Sequence, residues 1–187
     1  MLMFGLACGA TAAAQTNGVG RCAWAMAAEG GERAAFLAAF ARDRKAGTSQ
    51  LSSADQRLMQ YVSRCARRGD LPGPWARSAV ASVALQDGFA AAAQASSRIS
   101  RPALDMAWAQ APAPAKDCAK ANAAKVFGLS GPSCPDMAAA TWFLQHLGLS
   151  PTTDRPGAAA ALSFMNAKAQ EEWAESLIAR FVRQPPS

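Results

Sequence analysis

A single histidine, a single tyrosine and two isoleucines occur among 187 residues. The β-branched and aromatic side chains that a sheet requires are therefore in short supply, which excludes a β-sandwich. With one histidine, any conventional general-base or triad scheme has His146 as its only imidazole. The cysteines contain no C-x-x-C pair, and His146 lies twelve residues beyond Cys134, so the usual zinc spacings are missing. No apolar run approaches the roughly 20 residues of a bilayer span, so no transmembrane segment is expected. What abounds is alanine, 47 residues, a quarter of the chain. Alanine is the strongest helix former, and the fold class expected is all-α.

The first fourteen residues, MLMFGLACGATAAA, carry no charge and end in Ala12-Ala13-Ala14 before Gln15. That pattern matches the small-residue cleavage rule of a secretory signal peptide. Its basic leading region is missing, so Met1 reads as an internal start of a slightly longer precursor. The competing reading is a buried N-terminal helix. Lipidation at Cys8 is disfavoured, because Gly5 stands where a lipobox expects leucine.

Removal of residues 1–14 leaves Cys22, Cys65, Cys118 and Cys134. An even number in an exported chain favours two disulfides, with three connectivities open. The pairing expected is Cys22–Cys65 and Cys118–Cys134, which keeps each bridge on its own side of the Pro-rich stretch near 111–114. The alternative is four buried, reduced thiols acting as small hydrophobes.

Along the chain the pattern predicts an irregular, Ala-rich bundle of about six to seven helices, closed by Gly and Pro breaks. Residues 15–19 read as an exposed leader, followed by helices near 20–29 and 31–45. In the second, Arg44 and Lys45 fall in the last turn, where the macrodipole favours cations, and Gly47 ends it. Ser53 and Gln56 match a capping box that opens a helix over 54–68. Leu58, Val62 and Cys65 recur there at i, i+4 and i+7, which points Cys65 inward. A longer helix over 74–96 is weakened in its middle by Gly88. Residues 102–109 form a short turn of helix, and 111–114 read as a stiff, extended connector. Helices near 115–127, 135–147 and 157–183 complete the chain, the last capped by Asp154. Residues 15–187 are read as one helical domain, with a two-lobed arrangement, 20–109 and 115–183, as its variant.

Candidate chemistry is thin. Gly18-x-Gly20-x-x-Ala23 imitates a dinucleotide fingerprint but lacks the strand that must precede it. His146 follows Trp142 by one turn near a helix end and reads as a polar edge. Glu171, Glu172 and Glu175 read as a solvated acidic face; a carboxylate-bridged metal pair would also want E-x-x-H, which is absent. No cofactor and no metal are expected.

Charge is unevenly placed. Ten basic and five acidic residues precede position 81, and nine and eight follow. Arg57, Tyr61, Arg64 and Arg68 fall at i, i+4, i+7 and i+11, one basic stripe with an aromatic in it. Such a stripe suits an anionic surface: phosphorylated glycolipid, wall polymer, nucleic acid or acidic protein. Its bland counterpart is a solvated face partly paired with Asp55 and Asp70.

Three functional classes remain. The leading expectation is a small exported helical binding or structural protein, periplasmic or secreted, without chemistry of its own. Its partner would be an anionic envelope component or another protein. The second is an enzyme or enzyme accessory using His146. The third is a cytoplasmic, nucleic-acid-associated helical protein.

Overall fold

A computed structural model describes residues 18–67, 69–125 and 136–183. Among these residues the chain forms helices and no strand. The helices are α1 (Val19–Glu29), α2 (Glu32–Arg42), α3 (Arg44–Ser53), α4 (Asp55–Ala66), α5 (Gly73–Ser97), α6 (Arg101–Gln110), α7 (Ala113–Lys125), α8 (Asp136–His146) and α9 (Arg155–Val182). Nine helices among the described residues exceed the six to seven expected, and the reasons are local.

The helix expected over 31–45 is two. Asp43 is extended, with φ −159° and ψ 131°, and its carboxylate accepts from the backbone N–H of Lys45 and Ala46. An aspartate at this position favours a new helix start. Arg44 and Lys45 therefore stand in a first turn, where the dipole does not favour them, instead of in a last one. Gly47, expected to end a helix, lies buried inside α3. A Cβ there would come within 2.7 Å of the Phe40 ring, so the glycine is a packing residue.

The expected capping box does not form. Ser53 is helical and its hydroxyl donates back to the Ser49 carbonyl at 3.0 Å. Ala54 bridges α3 and α4 in a right-handed conformation, with no side-chain cap. The 111–114 connector is also shorter than expected. Ala113 already opens α7, with Pro114 in its first turn, where a missing N–H costs nothing. The short turn expected over 102–109 is a ten-residue helix, with Ser100 Oγ accepting from Ala103 N–H.

The longest helices, α5 and α9, form the most extensive pair. Ala79, Ala84, Ala161, Ala169 and Ala174 are completely buried, and such small side chains let helices approach closely. Bulk comes from few residues. Trp24, Phe36, Phe40, Leu58 and Val62 build one cluster with α5. Leu104, Trp108, Phe143 and Phe164 build another, and Trp173 and Ile178 join Ala79 in a third. The two larger clusters divide within α5, between Ala84 and Ala90, and Phe89 touches both.

Cys22 of α1 and Cys65 of α4 are bonded, Cα atoms 5.9 Å apart across 43 residues of chain. This is the pairing expected for these two. Cys118 is buried and is itself a disulfide cysteine. Cys134 lies outside the described residues, as do residues 1–14, so the second expected bridge and the signal-like segment fall there too. No described helix is long and apolar enough to cross a membrane.

Candidate functional site

The face of α4 expected to carry the basic stripe is oriented by what lies behind it. Leu58 and Val62 are 3% and 2% exposed, and Cys65 is tied to α1, so the helix cannot rotate. Arg57 and Arg64 are consequently turned to solvent. Arg57 does not stand alone: its Nη1 lies 2.6 Å from Glu32 Oε1 at the start of α2. The Tyr61 hydroxyl donates a long, 3.5 Å hydrogen bond to the other oxygen of Glu32. Burial opposes the Glu32 charge, but the bonds from Arg57 and the backbone, the Arg57 charge and Tyr61 outweigh it and hold its pKa below the ordinary value. The Arg57 guanidinium is pinned by that carboxylate while its side chain remains 62% exposed.

Asp55, expected to pair with this stripe, instead takes Arg77 of α5 in a two-bond ion pair, 2.8 and 3.0 Å. Arg64 has no carboxylate within ion-pair distance among the described residues. The helix ends at Ala66, with Arg67 left-handed at φ 55° as its cap. Arg68, the fourth member, lies outside the described residues. Beside Arg57 opens a cavity of about 500 Å³, lined by Glu32, Gln50, Ser53, Gln56 and Gln60. Amides, a hydroxyl and a fixed guanidinium in one concavity can bind a polyhydroxylated or anionic group by hydrogen bonds alone.

Sequence reasoning missed a second polar centre, where α1, α2, α5, α6 and α9 meet. Asp87 accepts from Trp24 Nε1 at 2.9 Å, from Arg101 Nη1 at 2.6 Å and from Arg33 Nη2 at 2.8 Å. Arg101 also reaches Asp105 at 2.8 Å and the Gln86 side-chain oxygen at 3.2 Å. Gln86, wholly buried, donates to Glu171 at 2.9 Å. Glu171 pairs with Arg21, one Nη2 bond measuring 3.1 Å, and with Lys168 at 3.2 Å. Above this network lies an open basin of about 540 Å³, with Arg21, Trp24, Arg33, Asp87 and Arg101 in its walls. Each arginine there is paired with a carboxylate and at most 42% exposed, against 62% for Arg57, so the centre chiefly binds helices together. An i, i+4 count cannot reveal a cluster drawn from five helices.

The acidic face expected on the last helix is a correction. Glu171 is only 4% exposed and is held by Arg21, Gln86 and Lys168. Glu172 accepts from Trp108 Nε1 at 2.6 Å and pairs with Lys120 at 3.2 Å. Glu175 accepts the Gly20 N–H at 2.6 Å, capping α1, whose own N-cap residue is Gly18 with no side chain. Burial pushes the Glu175 pKa above its ordinary value, against the lowering by the Val19 and Gly20 N–H groups. Solvation is thus replaced by three different tertiary roles.

The glycine motif serves packing: a Cβ on Gly20 would stand 2.5 Å from the Ala79 carbonyl oxygen of α5. His146 is exposed and stacks on Trp142, ring centroids 4.8 Å apart at 12°. Among the described residues no three His, Cys, Asp or Glu side chains gather in a metal-holding group. Comparison with protein-family models, with curated proteins and with solved structures returns no match.

Proposed function

We propose that this chain is an exported, disulfide-braced helical protein that works by binding, without chemistry of its own, and that the α4 face meets an anionic envelope component. The observation that carries the reading is Arg57: a guanidinium fixed by Glu32, still 62% exposed, beside a polar cavity of about 500 Å³. A pre-oriented cation loses less freedom on binding than a free surface arginine. Arg64 extends the same face by two turns. The Cys22–Cys65 bond supports an oxidising address, since such bridges persist outside the reducing cytosol. In this reading Cys118 takes Cys134 as its partner and the mature chain begins at Gln15.

Replacing Arg57, Arg64 and Arg68 together by glutamine tests the surface. The parent should be retained on a phosphorylated-glycolipid or wall-polymer matrix, with retention falling steeply as salt rises. The triple variant should elute early. Equal retention of parent and variant removes this face from the proposal.

A further inference from the structure

A different surface carries an inference of its own. Between α2 and α5 lies a groove of about 340 Å³, with Leu37 and Phe40 on one wall and Ala91, Ala92 and Ala95 on the other. Gly88 forms its floor, and a Cβ there would meet the Phe40 ring at 2.8 Å, so the depth depends on that glycine. From Gly88 to Ala95 the α5 side runs about 10 Å. The volume is at the lower end of the range that small-molecule sites occupy, about 300–1,000 Å³.

One end of this apolar trough is basic. Arg42, Asp43 and Arg44 line it, two cations against one carboxylate, and that carboxylate is turned to its own helix, accepting from Lys45 and Ala46 N–H. Neither Arg42 nor Arg44 has an ion-pair partner among the described residues. Arg44 instead lies over the Phe89 ring of α5, 5.2 Å from its centroid, which holds its guanidinium close to that helix. The two halves of the site ask for two halves of a ligand: an aliphatic body for the trough and an anionic head for the arginines.

We propose that the groove between α2 and α5 binds the single chain of a free fatty acid, with its carboxylate at Arg42 and Arg44. The surface differs from the α4 face, and neither proposal needs the other.

The test is calorimetric titration of the whole protein with dodecanoate below its micelle concentration, set beside uncharged dodecanol. Dodecanoate should bind the parent at one site per chain. Arg42→Gln with Arg44→Gln should weaken dodecanoate by about tenfold or more, the scale of one lost charge-assisted hydrogen bond, and leave dodecanol unchanged. Ala91→Phe, at an exposed position, should fill the trough and abolish both ligands while the melting curve stays that of the parent. A double substitution Arg155→Gln with Arg180→Gln, elsewhere on the surface, should change nothing. Dodecanoate binding that survives Ala91→Phe, or that ignores loss of both rim arginines, overturns the proposal. So does a parent that ignores dodecanoate and binds an acidic amphipathic peptide, which would assign the groove to a partner helix.

Discussion

Glu171 shows how far a single side chain can be misread from its neighbours in sequence. With Glu172 and Glu175 it makes an acidic run that looks solvated, yet it is 4% exposed and holds Arg21, Lys168 and Gln86. Breaking a buried ion-pair set by removing one partner leaves uncompensated charge. Glu171→Gln is therefore expected to cost on the order of 3 kcal/mol in denaturant unfolding, part of the Arg21 contribution being screened by solvent. A loss indistinguishable from that of a surface glutamate variant would show that the network is dispensable. Glu175 makes the opposite kind of statement, through pH. Its folded pKa lies above the ordinary 4.5, so the folded state holds its proton more tightly than the unfolded one. Stability from this group is complete below 4.5 and declines as pH rises through the folded value. Glu175→Gln cannot ionise, so its stability relative to the parent should climb across that window and level off above it. A difference that is flat with pH would contradict the assignment.

At the scale of helices, periodicity was a good guide where burial was one-sided. The α4 pattern of Leu58, Val62 and Cys65 turns those residues inward and brings Cys65 to Cys22. Periodicity failed where boundaries depend on backbone conformation. Nothing in the apolar spacing distinguishes Asp43 as an extended cap from Asp43 as a helical residue, and Ser53 had two ways to satisfy its hydroxyl. Glycines misled for a related reason. Gly47 looks like a break and Gly88 like a weak point, and each, like Gly20 of the glycine motif, stands in a helix where a neighbour comes too close for a Cβ. Gly20→Ala should lower stability by about 1–3 kcal/mol, because the contact is with the Ala79 backbone oxygen, which cannot move aside without shifting α5. A melting temperature equal to that of the parent would mean that α1 and α5 can separate at little cost.

For the whole molecule, composition was the most legible level. A quarter of the residues being alanine was enough to give the helical class, and of the three open connectivities the one expected, with each bridge on its own side of the Pro-rich stretch, contains the observed Cys22–Cys65 bridge. The polar centre of Asp87, Arg101 and Glu171 was not legible, since its members are far apart in sequence and meet only when α1, α2, α5, α6 and α9 pack. The α4 face was half legible: Arg57, Tyr61 and Arg64 were found from spacing, whereas Glu32, which fixes Arg57, belongs to another helix. A bundle with so many methyl side chains gains little area per residue, so the cross-link should matter. Reducing Cys22–Cys65 opens a loop of 43 residues, and in the chain-entropy description this removes about 4 kcal/mol. Cys22→Ser with Cys65→Ser should reproduce most of that loss by denaturant titration; a loss under about 1 kcal/mol would show that packing alone suffices. The most direct measurement is a count of the thiols that an alkylating label modifies in the protein from its native host, lysed directly into denaturant without reductant. An exported, doubly bridged chain starting at Gln15 presents no reactive thiol, and reactive thiols at Cys22, Cys65, Cys118 and Cys134, with Cys8 as a fifth where residues 1–14 are retained, would contradict both the bridges and the address.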